Sequence, residues 1–264
     1  MPLQTLSAET IAAEERSVGP SPIHGLAIDV ALGGRVQSHR HMRGQLMYAS
    51  VGVMTIQVPG KSWVISGQRA LWIPEFVEHE VRMSTNVEMR NLQISRALAP
   101  LLPAFTCAVK VTSLLRELLL TAIAGPNYFY TGDKQERVVG LIVEEFEESE
   151  LVPMHLPEPR DPRLVRVCDA LREAPGDQRT LEEWAEVACA SSRTMACMFV
   201  QDTGRSFAAW RRQARLLSAI IRLSNGESVS AVALDAGYET ASGFIEMFRR
   251  QIGCTPGQYL SHAV

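Results

Sequence analysis

Long apolar runs and paired cysteines are both missing from this sequence of 264 residues. No stretch of eighteen apolar residues occurs, so the sequence predicts no membrane-spanning helix and no membrane partner. Residues 1–19 carry acidic side chains where a secretory signal needs a basic start and an apolar stretch, so we expect a cytoplasmic protein. The five cysteines are odd in number and never spaced Cys-x-x-Cys, which argues against a disulfide framework and a cysteine-based zinc site.

A basic excess is also lacking, since the net charge is -3. Taken alone, this charge argues against a nucleic-acid partner, because neutralising phosphates usually requires a surplus of lysine and arginine. From Asp161 onward, however, there are 12 arginines, no lysine and 12 acidic residues, so the whole deficit lies in the first 160 residues. Any affinity for DNA must therefore come from the placement of the arginines.

The N-terminal pattern is one of short β-rich segments separated by glycine and proline turns, from about residue 24 to residue 95. This spacing predicts a small antiparallel barrel over residues 21–100, preceded by a flexible N-terminus at 1–20. The period then becomes helical at 112–123 and 134–148, with breaks at Gly125-Pro126 and Thr131-Gly132. We assign residues 101–150 as a helical pair for dimerisation. The apolar stripe of its second helix either packs on the barrel or meets its twin in a dimer; it comprises Val138, Leu141, Ile142, Glu145 and Phe146.

The remaining chain divides into a proline-rich linker and a helical domain. Four prolines near residues 151–162 predict an extended linker at which the domains could reorient. Residues 163–264 are punctuated by helix caps, including a capping box at residues 180–183 and stops at Asp202-Thr203-Gly204 and Gly253. Their order is short helix, turn, helix, long helix, then short helix, turn, helix again. This order is a duplication of a tri-helical DNA-reading unit. Together with the N-terminal barrel, it predicts a chain of the α+β class.

The last hundred residues contain spaced motif positions that span two helices and their turns. These are Arg215, Leu216, Ala219, Val229, Val232, Ala233, Ala236, Gly237, Tyr238, Ser242, Phe244, Phe248, Arg249, Arg250, Gly253, Pro256 and Tyr259. The pattern resembles the AraC/XylS family of transcription regulators. The resemblance implies that two recognition helices, at about residues 192–200 and 241–251, enter two successive major grooves of double-stranded DNA.

The resemblance also implies which side chains meet the DNA. Candidate base readers by position are Ser192, Arg193, Ala196 and Cys197 in the first helix and Ala241, Ser242, Ile245 and Glu246 in the second. Phosphate contacts are expected from Arg211, Arg212, Arg249 and Arg250, although a solvated helix face is the alternative for the arginines of the long helix.

Three residues depart from the family pattern. Cys197 stands where the family commonly has arginine, and Cys189 replaces a glycine usual in the first turn. Glu246 could accept from a cytosine amino group or make no base contact. Cys168, Cys189 and Cys197 could sense oxidants, but small thiols in helical domains usually serve packing.

The barrel segment carries two motifs that resemble those of cupins. Gly33, His39, His41, Gln45 and Gly52 follow the spacing of the first motif, and residues 74–79 resemble part of the second, with Phe76 where glycine is usual. Because side chains two apart on a strand share a face, His39 and His41 with His79 predict three imidazole ligands for a divalent transition metal. Gln45 would be a weak fourth ligand.

Alternatives remain open for the barrel. In one alternative the metal is lost and the histidines bond a ligand or each other, while Tyr48, Trp63, Trp72 and Phe76 line an effector pocket. The whole chain is interpreted as a DNA-binding regulator that responds to a metal or a small molecule. We expect it to form a homodimer and, if it activates transcription, to have RNA polymerase as a partner. The other interpretations are a metal-dependent cupin enzyme with a helical interaction domain, and DNA binding without an effector, which predicts a barrel filled by side chains.

Overall fold

The structure, a computed structural model, describes residues 3–7, 21–123, 133–148, 151–152 and 154–261. Within this part of the chain the residues form two compact units. The first runs up to Pro59 and from Trp63 to Met154, and the second contains Gly60–Ser62 and His155–Ser261. The predicted α+β class is confirmed, because a sheet dominates the first unit and helices the second. None of the described helices is long and apolar enough to cross a membrane.

The first unit is built on one curled sheet. Its strands are β1 (Leu3–Leu6), β2 (Ile23–His39), β3 (Gly44–Val51), β4 (Val53–Val58), β5 (Lys61–Ser66), β6 (Arg69–Ile73), β7 (His79–Met83), β8 (Val87–Ile94), β9 (Cys107–Lys110) and β10 (Leu151–Val152). They lie in the order β10-β9-β6-β3-β8-β2-β7-β4-β5, with β1 parallel to β2. The long β2 pairs with β8 along its first half and with β7 along its second, so it belongs to both parts of the sheet.

Two sequence predictions for this unit need correction or qualification. The flexible N-terminus predicted for residues 1–20 is wrong for Leu3–Leu6, because this segment pairs with β2 and Leu6 is buried. Residues 8–20 lie outside the described part of the chain, as do the breaks predicted at Gly125-Pro126 and Thr131-Gly132.

Two helices, α1 (Ser113–Ile123) and α2 (Asp133–Glu148), cover the outer face of the sheet. Leu115 and Leu119 of α1 and Ile142 and Phe146 of α2 enter one apolar cluster with strand residues such as Trp72. The apolar stripe of α2 therefore packs on the sheet, which is one of the two arrangements that the sequence left open. Its Leu141 remains exposed.

The second unit begins with a short strand, β11 (His155–Pro157), followed by helices. These are α3 (Pro162–Glu173), α4 (Leu181–Val187), α5 (Ser192–Thr203), α6 (Phe207–Ser224), α7 (Val229–Asp235), α8 (Ala241–Ile252) and α9 (Pro256–Ser261). A side-chain cap stands before each of α3 to α8, where it accepts a hydrogen bond from the first turn and satisfies an otherwise unpaired amide. The caps are Asp161, Thr180, Ser191, Ser206, Ser228 and Thr240.

The second half of the predicted linker is attached to the helical unit rather than free. Trp210 of α6 donates to the Pro157 carbonyl at 2.8 Å, and Glu158 forms an ion pair with Arg172. The backbone amides of Arg160 and Asp161 donate to Asp202.

Candidate DNA interface and metal centre

The turns of the two helix-turn-helix units have the same backbone geometry. Cys189 has φ 51 and Gly237 has φ 80, each two residues after its helix ends. In the first turn Ala190 N donates to Ala185 O, and in the second Tyr238 N donates to Ala233 O, both at 2.9 Å. The cysteine that replaces the usual glycine therefore adopts the left-handed conformation and leaves the turn geometry intact.

The first recognition helix, α5, is fixed by its buried face. Met195 and Phe199 lie fully buried at i and i+4, and the Ser191 side chain accepts from Thr194 N. The predicted base readers are distributed accordingly: Arg193 and Cys197 are exposed, while Ser192 and Ala196 are half-buried. The side chains of Arg193 and Cys197 are thus accessible to a DNA groove.

The second recognition helix, α8, follows the same plan. Phe244, Met247 and Phe248 form its buried face, with the ring of Phe248 against Tyr259. On its outer face Ser242, Glu246, Arg249 and Arg250 are exposed, and Ala241 and Ile245 are half-buried. The alternation of anchors and exposed residues explains the motif spacing, since a helix returns to the same face every three to four residues.

An arginine-rich cleft of about 390 Å³ lies between α6 and α8. This arginine cleft is lined by Arg211, Arg212, Arg215 and Arg250 together with Ala208, Tyr238, Gly243, Glu246 and Met247. Four guanidinium groups against one carboxylate make its lining strongly cationic. Such a concave basic surface on the recognition-helix side suits a phosphate group.

The arginines of α6 differ in what they bond. Arg215 donates to the backbone carbonyls of Pro175 at 2.7 Å and Asp177 at 2.8 Å, and Arg211 donates to that of Arg179 at 2.7 Å. Arg212 is exposed and has no such bond among the described contacts. Sequence reasoning treated this row as one solvated or phosphate-binding face and missed the structural role of Arg215.

A second contact that the sequence did not reveal joins the two halves of the helical unit. Gln178, in the loop before α4, donates to the Gly237 carbonyl at 2.9 Å. A Cβ at Gly237 would collide with this Gln178 amide, and one at Gly176 would collide with the Asp235 backbone. The loop before the first helix-turn-helix and the turn of the second helix-turn-helix therefore require glycine for close approach.

The three histidines predicted as metal ligands do come together in the first unit. His39, at the end of β2, lies opposite His79 on β7, and His41 follows β2. Their candidate ligand atoms all lie within 4.8 Å of one another. Among the described residues this histidine cluster is the group whose donors suit a metal ion.

The hydrogen bonds of the histidine cluster orient its rings. His39 Nδ1 lies 2.6 Å from Gln37 O and His79 Nδ1 lies 3.0 Å from Val77 O, so each Nδ1 donates and each Nε2 carries a lone pair. His39 Nε2 lies 3.1 Å from His41 Nε2, whereas the buried His79 Nε2 has no partner. Gln45 is buried and bonds the His41 ring.

Burial keeps these imidazoles neutral. Desolvation lowers the pKa of His39. Desolvation together with the neighbouring imidazoles lowers the pKa of His41 to about 3 and that of His79 to about 4. Neutral imidazole is the form that coordinates transition metals. The donors, their tautomers and the unpartnered His79 nitrogen therefore fit a divalent metal.

The four aromatic residues predicted to bind an effector are not brought together. Tyr48 and Trp72 are buried in the outer cluster, where the Tyr48 hydroxyl donates to Gly67 O at 2.9 Å and Trp72 Nε1 donates to Pro103 O at 2.7 Å. Trp63 is buried on β5, and Phe76 is 52% exposed with φ 60. The prediction is wrong for Tyr48 and Trp72, because strand alternation turns them toward the helices.

The buried cysteines are poor redox sensors. Burial raises the pKa of Cys168 and raises that of Cys107 to about 11, which disfavours the reactive thiolate. Cys189 and Cys197 are exposed.

Comparison with known proteins assigns the helical unit first. Residues 184–262 match the family described as a helix-turn-helix domain. The HTH-type transcriptional regulator NimR of Escherichia coli (strain K12) is 32% identical over 223 residues, covering 84% of this chain and 81% of NimR. RipA of Corynebacterium glutamicum, another HTH-type transcriptional regulator, is 38% identical over 104 residues, which cover 39% of this chain and 31% of RipA.

Among solved structures, unsaturated fatty acid bound ToxT from Vibrio cholerae aligns with 94% of this chain and 98% of its own at 9% identity and a TM-score of 0.39. The sequence relatives are named as regulators rather than as enzymes. With the duplicated helix-turn-helix geometry described above and a relative matched over most of its length, the chain belongs to the AraC/XylS family of helix-turn-helix transcription regulators.

Proposed function

We propose that this regulator places α5 and α8 in two successive major grooves and that its DNA binding responds to an effector held in the first unit. One observation carries the DNA-binding part: two turns with equivalent hydrogen bonds, each with one residue in the left-handed conformation, present two helices with exposed outer faces. Repeated units held by one long helix suit half-sites about one helical turn apart.

Phosphate contacts come from the arginines that the fold leaves unbonded. Arg212, Arg249 and Arg250 are exposed, and two of them line the arginine cleft. Glu246 faces the same cleft as an anion, so it selects a base that offers an amino group rather than adding affinity. The short polar Ser242 reads one base of the second groove.

The effector site we propose is the histidine cluster. His39, His41 and His79 would hold a divalent transition metal such as zinc or nickel, with Gln45 as a weak oxygen ligand. When bound, the metal would link β2 to β7 by coordination bonds, in addition to the backbone hydrogen bonds that pair the two strands. The alternative is a small molecule that bonds the histidines directly, as His39 and His41 already bond each other.

We also propose a homodimer, with the helical pair of the first unit as its contact. Leu114 of α1 and Leu141 of α2 are large apolar side chains exposed on these helices. If the protein activates transcription, RNA polymerase is its further partner.

Selection of DNA from a random pool by the full chain, with and without zinc or nickel, tests the proposed function. The expected product is a motif of two short elements about one helical turn apart, whose affinity changes with the metal. Recovery of only salt-labile, sequence-blind DNA would contradict it.

A further inference from the structure

Polar atoms without partners lie buried within the first unit. Among the described residues, they include the side-chain oxygens of Gln45, Asn91 and Gln93 and the Nε and Nη1 atoms of Arg69. Each of these four residues is at most 5% exposed. Because buried polar groups in proteins are nearly always hydrogen-bonded, such a group of orphans indicates that a ligand belongs there.

The four side chains share the inner face of the sheet. Trp72, Tyr48 and Leu92 face the helices on the outer side, so their strand neighbours one residue away face inward. Gln45 on β3 lies opposite Gln93 on β8, and in the next inward row Met47 lies opposite both Asn91 and Leu71. Arg69 precedes Leu71 by two residues on β6 and therefore faces the same way.

Arg69 places a positive charge on this face that no carboxylate of the described residues neutralises. Neither an ion pair nor a hydrogen bond joins Arg69 to a carboxylate within the ranges that the structure describes, and the residue opposite it on β9 is Lys110. A guanidinium cannot lose its proton, so it needs an anion or several acceptors when buried.

The geometry points to a small organic carboxylate as an effector besides the metal, bound on the inner face with its carboxylate on Arg69. Its apolar body would lie against Met47, Leu71 and Met89, whose side chains share this face. The amide oxygens of Asn91 and Gln93 would accept from a hydroxyl or amine of the same molecule. This inference rests on the proposed function, an effector held in the first unit, and names a chemical class for it; Arg69 as the one buried cation among the described residues of this face favours a monocarboxylate over a phosphate.

The row that contains Gln93 and Gln45 also reaches the histidine cluster. His24 lies opposite Gln93 on β2, and Gln45 bonds His41. A ligand on the inner face is therefore adjacent, through Gln45, to the metal ligands, so metal and carboxylate would influence each other.

Thermal unfolding of the full chain with matched probes tests the inference. The probes are 4-hydroxybenzoate and 6-hydroxyhexanoate, each compared with its neutral carboxamide. In the wild type, at least one carboxylate should raise Tm while its carboxamide does not, because only the anion pairs with Arg69. The variant Arg69→Met, which has similar length and no charge, should lose this shift.

Without ligand, Arg69→Met should also unfold at a higher Tm than the wild type, by about 2–4 °C, because a buried unpaired charge is removed. A lower Tm for Arg69→Met would show that the guanidinium is structural and would overturn the inference. Failure of Arg69→Met to fold would overturn the inference in the same way, and Arg69→Gln repeats the test with a neutral polar side chain.

Equal shifts with acid and amide, or no shift with either carboxylate, would also overturn the inference. DNA binding measured in the same samples separates the two levels. Specific DNA binding without carboxylate recognition removes this inference alone, whereas loss of specific DNA binding by the wild type removes the proposed function itself.

Discussion

Cys189 and Gly237 occupy the same position in two successive helix-turn-helix turns, with φ values of 51 and 80. A side chain costs about 1–2 kcal/mol in this left-handed region, and glycine does not. The first helix-turn-helix therefore carries backbone strain that the second helix-turn-helix avoids.

Cys189→Gly should stabilise the protein by about 1 kcal/mol, because the turn already has the glycine conformation. Gly237→Ala should destabilise it by more, since a Cβ there would also displace Gln178. Urea unfolding of both variants measures the two changes in the free energy of unfolding. Destabilisation by Cys189→Gly would show that the thiol contributes more by packing than the turn loses in strain.

Arg249→Ala should weaken binding to all DNA sequences and lower the salt dependence of the binding constant, because one phosphate contact is lost. Ser242→Ala should weaken binding mainly at one base position. Salt titrations against DNA variants separate the two effects, and no loss in either variant would contradict the assignment of α8.

Glu246→Gln should strengthen binding to random DNA, because it removes an anion from the arginine cleft. If Glu246 accepts from a cytosine amino group, the same variant should lose discrimination at that base by about 1–3 kcal/mol. Competition binding with matched and mismatched DNA measures both quantities. Unchanged affinity for random DNA would show that Glu246 lies too far from the phosphates to act.

Arg215→Met should lower the free energy of unfolding by about 1–3 kcal/mol, because it leaves the carbonyls of Pro175 and Asp177 without their donor. Arg212→Met is the matched control, since this exposed arginine should change stability by less than about 0.5 kcal/mol. Chemical unfolding of the pair tests the structural role, and equal effects would refute it.

Zinc should raise the Tm of the wild type, and a chelator should reverse the rise. His79→Ala should abolish the shift because it removes the unpartnered ligand nitrogen, whereas His155→Ala, outside the histidine cluster, should keep it. A zinc-dependent shift that survives His79→Ala would place the metal elsewhere.

Features with a local physical cause could be predicted from the sequence. Caps such as Thr180 and Thr240 and the spacing of Phe244 and Phe248 determined the helices of the second unit, because each acts over three or four residues. The histidine cluster could be predicted because His39 and His41 share a strand face and the cupin spacing supplied His79.

What escaped prediction depends on contacts distant in sequence. Tyr48 and Trp72 lie on strands that are buried on both faces, so the alternation of side chains alone could not show which face the helices cover. The bonds of Arg215 to carbonyls near Asp177 join segments 38 to 40 residues apart, and no local pattern announces them. The inner-face position of Arg69 likewise follows only from the strand order.

Base-resolved interference footprinting on the selected DNA tests the central claim most directly. The account predicts two blocks of contacted bases about one helical turn apart in the major groove, with Arg193→Ala weakening one block and Ser242→Ala the other. A single block, or two blocks that both respond to one variant, would contradict the assignment of α5 and α8 to successive grooves.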